Sequence, residues 1–204
     1  MKKSAVVVAL AALGFIATEA MAQQSPWLVR ARVVNIDTAN KSDAGTGALN
    51  GLPANAITVS SKAIPEVDIS YFFTPNIAAE LILTYPQKHK VYAAGTKLGS
   101  FKHLPPTLTL QYHFTPASTF SPYVGAGINY TRISSVKLGG ADLENDSIGY
   151  ALQAGFDYKL DKNWSINFDV KKVQIRSDVM IAGDKVSKVK VDPLLVGVGI
   201  GYRF

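Results

Sequence analysis

A short motif, tyrosine followed two residues later by phenylalanine or leucine, recurs at four expected strand ends along this chain. The copies are Tyr71-Phe72-Phe73, Tyr112-His113-Phe114, Tyr158-Lys159-Leu160 and Tyr202-Arg203-Phe204, which lie 41, 46 and 44 residues apart. Before the last copy, every second residue from Leu194 to Ile200 is apolar. This period of two predicts a β-strand with one apolar face. The repeat therefore predicts four similar units, each ending in such a strand.

Each of the first three motifs is followed by a tight turn: Thr74-Pro75-Asn76, Thr115-Pro116-Ala117-Ser118 and Asp161-Lys162-Asn163. A unit of about 44 residues holds two membrane-length strands, one short turn and one longer loop, so four units predict eight strands. We expect the first strand of each unit to begin near Trp27, Ile77, Phe120 and Trp164. The second strands should end at Phe73, Phe114, Leu160 and Phe204, with longer loops at about 38–60, 88–100, 134–146 and 177–188.

The two faces of these strands differ sharply in polarity. In one of them Trp164, Ile166 and Phe168 alternate with Ser165, Asn167 and Asp169. The charged face belongs inside a small barrel and the apolar face outside, which is the reverse of a soluble lipocalin-like barrel. Aromatic residues collect near the turns and, as Tyr85, Tyr130 and Tyr150, near the loops, forming two interfacial girdles. The expected fold class is all-β: an eight-stranded antiparallel transmembrane β-barrel, up-and-down, with short periplasmic turns and longer extracellular loops.

The N-terminal segment has the features of an export signal. Lys2 and Lys3 precede an apolar run, and Ala20-Met21-Ala22 matches the small-x-small pattern that signal peptidase cleaves. We expect residues 1–22 to be a cleaved signal peptide and residues 23–204 to form one barrel domain in the outer membrane of a Gram-negative bacterium. The chain has no cysteine, which excludes disulfides and thiol chemistry. Its net charge of +6 is spread without a basic run, which favours contact with anionic lipid and lipopolysaccharide over nucleic acid.

In the periplasmic half of the barrel, ten charged residues occupy the alternate strand positions that face inward. They are Arg30, Arg32, Lys159, Lys171 and Arg203 with Glu66, Asp68, Glu80, Asp157 and Asp169. Equal numbers of each sign predict a mutually paired plug rather than an ion path, because a selective pore carries a ring of one sign. We call this set the polar floor.

In the outer half of the barrel, the inward-facing positions carry apolar residues instead. They are Val34, Ile36, Ile64, Phe101, Ile133, Val173 and Ile175, and further Val189 and Val191. These residues form either a small core that seals the barrel mouth or an apolar pocket above the polar floor.

Prolines interrupt two neighbouring expected strands at similar heights. Pro86 lies near the top of the third strand, and Pro105 and Pro106 interrupt the fourth. Proline cannot donate a ladder hydrogen bond, so the wall is either bent there or open to the side.

Five segments carry a resemblance to one known family: Trp27–Arg32, Pro65–Phe73, Asn76–Glu80, Leu104–Phe114 and Pro122–Tyr130. They resemble the OmpW family, which includes AlkL-like alkane-uptake proteins. The resemblance covers nearly the whole mature chain. It implies an eight-stranded outer-membrane barrel with a narrow apolar cavity that serves uptake of small hydrophobic solutes, and it favours the pocket interpretation. It also implies that the barrel-assembly machinery recognises the C-terminal Tyr202 and Phe204.

The sequence thus predicts an outer-membrane barrel for uptake of small hydrophobic molecules, through the apolar pocket and a lateral exit at the prolines. The alternative is a non-transporting structural barrel or a surface receptor or adhesin. An enzyme in a small barrel would need a nucleophile beside a base. His103 and His113 face inward, His89 is in or near a loop, and no serine lies at a productive spacing. We expect no catalytic residues, no metal site and no cofactor.

Overall fold

The computed structural model describes residues 25–204, so the expected signal peptide lies outside the described residues. In chain order the strands are β1 (Trp27–Asp37), β2 (Lys41–Ser42), β3 (Ile57–Val59), β4 (Lys62–Phe72), β5 (Ile77–Leu83), β6 (Gln87–Ala93), β7 (Thr96–Leu104), β8 (Thr107–His113), β9 (Phe120–Lys137), β10 (Ala141–Leu143), β11 (Asp146–Lys159), β12 (Trp164–Val173), β13 (Arg176–Ile181), β14 (Asp184–Lys190) and β15 (Leu194–Arg203). One 3-10 helix, Gly47–Leu49, lies between β2 and β3. Residues 25–204 contain no helix with the length and hydropathy needed to cross a bilayer.

Eight of the strands close into an antiparallel barrel. The order around the wall is β1-β4-β5-β8-β9-β11-β12-β15, and β15 returns to β1 with Leu28 opposite Arg203. Every neighbouring pair is antiparallel and joined in sequence order. The predicted fold class is confirmed, including short turns at one end and longer connections at the other.

The predicted strand boundaries agree with the structure at the short-turn end. Strands begin at Trp27, Ile77, Phe120 and Trp164, as expected, and the returning strands end at Phe72, His113, Lys159 and Arg203. Each return strand ends one residue before the predicted position. The outward motif residues form edge-to-face aromatic contacts at this rim, for example between Trp27 and Tyr71 and between Trp164 and Tyr202. These contacts favour one alignment of adjacent strands.

The longer connections are more ordered than the sequence predicts. The expected loop at 88–100 is the β6–β7 hairpin, and the expected loop at 177–188 is the β13–β14 hairpin. β3 pairs with β6, and β2 and β10 join β13 and β14 in a separate four-stranded sheet. These elements lie beyond the outer girdle residues and enclose an apolar cluster that includes Ile57, Phe101 and Val179.

The turns of these two hairpins explain why they form. At Ala94-Gly95 and at Ala182-Gly183 both central residues have positive φ, which is the type I′ geometry that matches strand twist. Glycine adopts the second of these positions without strain. Because alanine rather than asparagine or aspartate comes first, the hairpin signal is weak in the sequence.

The walls of the barrel approach closely where glycine faces the lumen. Gly199 on β15 lies opposite Arg32 on β1, and a Cβ at this position would collide with the Ala31 carbonyl oxygen. At Gly197, on the same face, the nearest atom to an added Cβ is Val34 Cγ2 at 3.0 Å. Of these two positions, Gly199 is the one where an added Cβ would collide with backbone.

We expect Gly199→Ala to destabilise the barrel more than Gly197→Ala does. Relieving a backbone clash requires strand displacement, whereas the Val34 side chain can shift, so the difference should be about 1–3 kcal/mol. The free energy of unfolding in urea, measured by tryptophan fluorescence of barrels in phospholipid vesicles, tests this. Equal losses in the two variants would contradict the close approach at Gly199.

Candidate functional site

A network of buried charged side chains crosses the lumen in its periplasmic half. Its members are almost fully inaccessible: Arg30, Arg32, Glu66, Asp68, Glu80, Asp157, Asp169 and Lys171. All eight belong to the ten-residue polar floor that the sequence alternation predicts. They come from β1, β4, β5, β11 and β12, so the network connects strands on different sides of the barrel.

Arg30 lies at the centre of this network. Its Nε and Nη2 donate to the two oxygens of Asp157 at 3.0 and 2.7 Å. Its Nη1 donates to Asp68 Oδ1 and Glu80 Oε1, each at 3.3 Å, and to Ser70 Oγ at 3.0 Å. A guanidinium that donates to both oxygens of a carboxylate fixes orientation as well as charge. Arg30 therefore joins β1 to three other strands through the lumen.

Arg32 and Lys171 form the upper layer of the polar floor. Arg32 donates to Glu66 at 3.1 Å and to Glu80 at 3.0 Å. Lys171 Nζ lies 2.7 Å from Glu66 Oε1 and 3.0 Å from Asp169 Oδ1. Glu66 on β4 thus bridges two cations, Arg32 on β1 and Lys171 on β12.

Neutral side chains that the sequence analysis did not single out complete the carboxylate contacts. The Tyr123 hydroxyl donates to Asp169 at 2.8 Å, and Gln153 Nε2 donates to Asp169 and Glu80 at 2.7 and 2.9 Å. Asn167 Nδ2 donates to Asp157 Oδ1 at 2.9 Å. The sequence contains a signal for these residues, because each occupies an inward-facing position between outward-facing apolar neighbours.

Lys159 and Arg203 lie apart from the ion pairs. Lys159 donates to the Pro116 carbonyl oxygen. Arg203 donates to the Ser25 carbonyl oxygen at 3.0 Å, and its guanidinium lies 4.1 Å from the Phe72 ring centroid. Both cations are at the periplasmic rim, and neither joins the carboxylates of the network. The five predicted cations therefore lie at two levels: Arg30, Arg32 and Lys171 in the network, and Lys159 and Arg203 at the periplasmic rim.

Above the polar floor lies an apolar cavity of about 350 Å³. Its wall comes from the hairpins and connections as well as from the barrel strands, and includes Leu52, Ile57, Val91, Phe101, Ile133, Leu143, Ile175, Val179 and Val189. Leu98, which is 46% exposed, and exposed Gly139 also line it, so the cavity reaches the outer surface. Its volume falls within the range of small-molecule sites.

A second, lower cavity of about 30 Å³ lies against the polar floor. Ile36, Ile64, Val173 and Ile175 line it, with Glu66 and Lys171 below. Of the seven predicted pocket residues, Phe101 and Ile133 line the outer cavity, three line the lower one, and Ile175 lines both. Val34 packs beside Ile36 and Ile64. The predicted pocket is therefore divided into two levels.

The barrel wall is interrupted at the prolines. Residues 84–86, which include Pro86, separate β5 from β6, and Pro105-Pro106 separates β7 from β8. The last ladder pair below the break is Ile82 with Thr107, and the next pair above it is Gln87 with His103. On the far side of the break, Asn129 and the Tyr130 amide donate to the proline carbonyl groups. The backbone hydrogen-bond ladder is thus absent between the prolines and the β5 side of the wall. On the β9 side, the hydrogen bonds from Asn129 and Tyr130 take its place.

The outer surface of the barrel has an apolar groove of about 260 Å³ beside this break. Leu81, Pro106, Leu108 and Ile128 line it, together with Thr107 and Asn129. Thr107 and Asn129 also line the lower cavity, and Pro105 lines that cavity from inside. One layer of side chains therefore separates the lumen from the lipid-facing surface at this point.

A closed barrel with an apolar exterior and a charged lumen defines an outer-membrane β-barrel protein. Within residues 25–204, no group of three or more His, Asp or Glu side chains is arranged to hold a metal ion. Residues 23–204 match the OmpW family, and the chain belongs to that family.

Relatives and a solved structure agree with this assignment. The chain is 48% identical to the uncharacterized outer-membrane protein y4mB of Sinorhizobium fredii over 198 residues, covering 92% of this chain and 84% of the relative. It is 29% identical to the dibenzothiophene metabolism operon protein PahQ of Pseudomonas aeruginosa, covering 93% of each. The crystal structure of the outer membrane protein OprG from Pseudomonas aeruginosa superposes with a TM-score of 0.76 at 30% identity, covering 89% of this chain and 97% of OprG. The protein is thus a barrel of the outer membrane.

Removing Arg30 should strongly destabilise the barrel, because Arg30→Ala leaves Asp157, Asp68 and Glu80 buried without their shared cation. Breaking a buried ion pair on one side costs about 3–5 kcal/mol. The measurement is urea unfolding in phospholipid vesicles. Arg132→Ala is the matched control, because Arg132 is exposed on β9, and it should change the unfolding free energy little. A loss from Arg30→Ala no larger than that of the control would show that the network does not stabilise the fold.

Proposed function

We propose that this barrel takes up small hydrophobic molecules, which enter the outer cavity and leave sideways into the membrane beside Pro105 and Pro106. The observation that carries the proposal is the apolar cavity of about 350 Å³ directly above a lumen closed by buried ion pairs. An apolar solute is stabilised in such a cavity by the removal of its surface from water.

The polar floor argues against passage along the barrel axis. Arg30, Asp68 and Glu80 are all fully buried, and their hydrogen bonds cross the lumen. An apolar molecule that separated these groups would leave charges without partners in a site shielded from water. A route to the periplasm through the floor is therefore much less favourable than a route into lipid.

The interrupted wall provides the shorter route. The lower cavity and the lipid-facing groove share Thr107 and Asn129, so few side chains have to move for a solute to cross. The lower cavity has room for about one water molecule, and its lining includes Ile36 and Ile175. Passage therefore requires movement of these side chains, with the break in the β5–β8 ladder allowing the wall to widen.

Similarity to PahQ supports an apolar substrate. PahQ is named for an operon of dibenzothiophene metabolism, and dibenzothiophene is a flat apolar compound.

The geometry also bears on the alternative of a structural barrel or a surface receptor. The outer hairpins direct Val91, Val179 and Val189 into the cavity, so their fold serves to enclose a space.

Restoring the missing hydrogen-bond donors should close the lateral route. In the double variant Pro105→Thr, Pro106→Val, both residues gain an N–H. The Pro106 carbonyl oxygen accepts from the Tyr130 amide and so points to β9, which leaves the new N–H at position 105 to extend the ladder towards β5. Whole-cell uptake of radiolabelled n-octane should then fall towards that of cells lacking the barrel.

The matched control for this variant is Pro122→Thr, since Pro122 lies within β9 on the periplasmic side, away from the break. Its uptake should equal that of the unmodified protein at the same surface expression. Unchanged uptake by the double variant at equal expression would rule out the lateral exit.

A further inference from the structure

Three polar side chains face the lumen immediately above the proline break, and each has an atom without a hydrogen-bond partner. They are Gln87 and His89 on β6 and His103 on β7, exposed by 0%, 0% and 2%. The atoms are Gln87 Oε1, His89 Nε2 and His103 Nδ1. Gln87 is the register partner of His103, and the two imidazole rings lie 4.7 Å apart. Buried polar groups are normally paired, so three unpaired atoms in one cluster indicate a site for a ligand.

The contacts of His89 identify one of these atoms as an acceptor. His89 Nδ1 lies 2.7 Å from the Ser60 carbonyl oxygen, which can only accept, so Nδ1 carries the proton. Burial lowers the pKa of this imidazole, which lies in the hairpin beyond the outer girdle. The ring is therefore neutral, and Nε2 offers a lone pair to the lumen.

Gln87 supplies a second acceptor. Its Nε2 donates to Thr84 Oγ1 at 3.1 Å and to the Tyr85 carbonyl oxygen at 2.8 Å, which fixes the orientation of the amide. Oε1 is left without a donor. Two acceptors of fixed orientation in one buried cluster need a hydrogen-bond donor, which a ligand hydroxyl or a water molecule supplies.

The cluster lies between the two cavities. Phe101, whose ring is 6.0 Å from both His89 and His103, lines the outer cavity. His103 lines the lower cavity together with Pro105. A solute that moves from the outer cavity towards the prolines therefore passes Phe101 and His103, and the acceptors of His89 and Gln87 lie beside His103.

We infer that Gln87, His89 and His103 form a binding site for the hydroxyl group of an otherwise apolar molecule, such as a medium-chain alcohol or a phenol. The inference rests on the proposed function and defines its substrate class. The hydroxyl donates to His89 Nε2 or Gln87 Oε1 while the apolar part occupies the outer cavity. A ketone or ether of the same size cannot donate, and an alkane makes no polar contact here. An ordered water molecule can donate to the same acceptors and therefore competes with the hydroxyl group for this site.

The test uses the barrel in lipid nanodiscs, with ¹⁵N-labelled histidine and ¹³C-labelled isoleucine methyl groups. The probes are 1-octanol, heptyl methyl ether and n-octane, compared at equal measured concentrations in the bilayer. All three should shift the Ile133 and Ile175 methyl signals, and only 1-octanol should shift the His89 Nε2 signal. One hydrogen bond to a buried acceptor should favour 1-octanol over n-octane by roughly fivefold to tenfold.

Variants separate the acceptors from the cavity. His89→Phe and Gln87→Leu should each lower the preference for 1-octanol while leaving n-octane affinity unchanged. His113→Phe is the control, because His113 is equally buried but lies at the periplasmic end and contacts Gln111; it should keep the preference.

Equal binding of 1-octanol and n-octane by the unmodified barrel would overturn the inference and leave the proposed function intact. A preference that persists in both acceptor variants would do the same. If none of the three probes shifts the Ile133 methyl signal, the inference and the proposed function both fail.

Discussion

Arg30 is fully buried in the lumen and donates hydrogen bonds to carboxylates on three other strands. An eight-stranded barrel encloses a space that side chains just fill, so the choice of filling decides what the barrel can do. Here the filling is ionic and hydrogen-bonded, with Tyr123, Gln153 and Asn167 completing the carboxylate contacts. Such a network holds the strands together and closes the axial route at the same time.

The position of this network determines where a solute can bind in the barrel and where it can leave. Because buried ion pairs fill the periplasmic half, the large apolar cavity lies in the outer half, where the hairpins β6–β7 and β13–β14 extend the wall and line it with apolar side chains. A cavity closed below and apolar on its sides has one weak boundary, the interrupted ladder at Pro105 and Pro106. The proposed path therefore turns from the outer surface into the membrane.

Much of this arrangement could be predicted from alternation alone. The period of two assigned Arg30 and Asp157 to the lumen and Trp164 to the exterior, because burial on one side of a wall fixes the register. The strand starts at Ile77, Phe120 and Trp164 were predictable because each follows a turn that contains proline, asparagine or aspartate. Pairing between particular charges was not predictable, because it depends on strand tilt and stagger. Parity could not show that Lys159 and Arg203 lie below the network rather than in it.

The outer half was less predictable for a physical reason. Its elements are short hairpins with Ala-Gly turns, stabilised by contacts between connections far apart in the sequence, such as Leu52 with Val179 around one cavity. His89, expected in or near a loop, is instead a buried strand residue of β6. The division of the pocket at Ile175 likewise depends on how the hairpins pack above the barrel.

The central claim is that apolar molecules reach the prolines from outside and do not cross the polar floor. The most direct measurement is solid-state NMR magnetisation transfer from ¹³C-labelled n-decane to the barrel in lipid bilayers that contain unlabelled lipid. The account predicts transfer to Phe101 and Ile133, and to Pro105 and Pro106, with none to Tyr123. Transfer to Tyr123 and on to Asp157 would show that the solute passes the floor along the lumen, which contradicts the account.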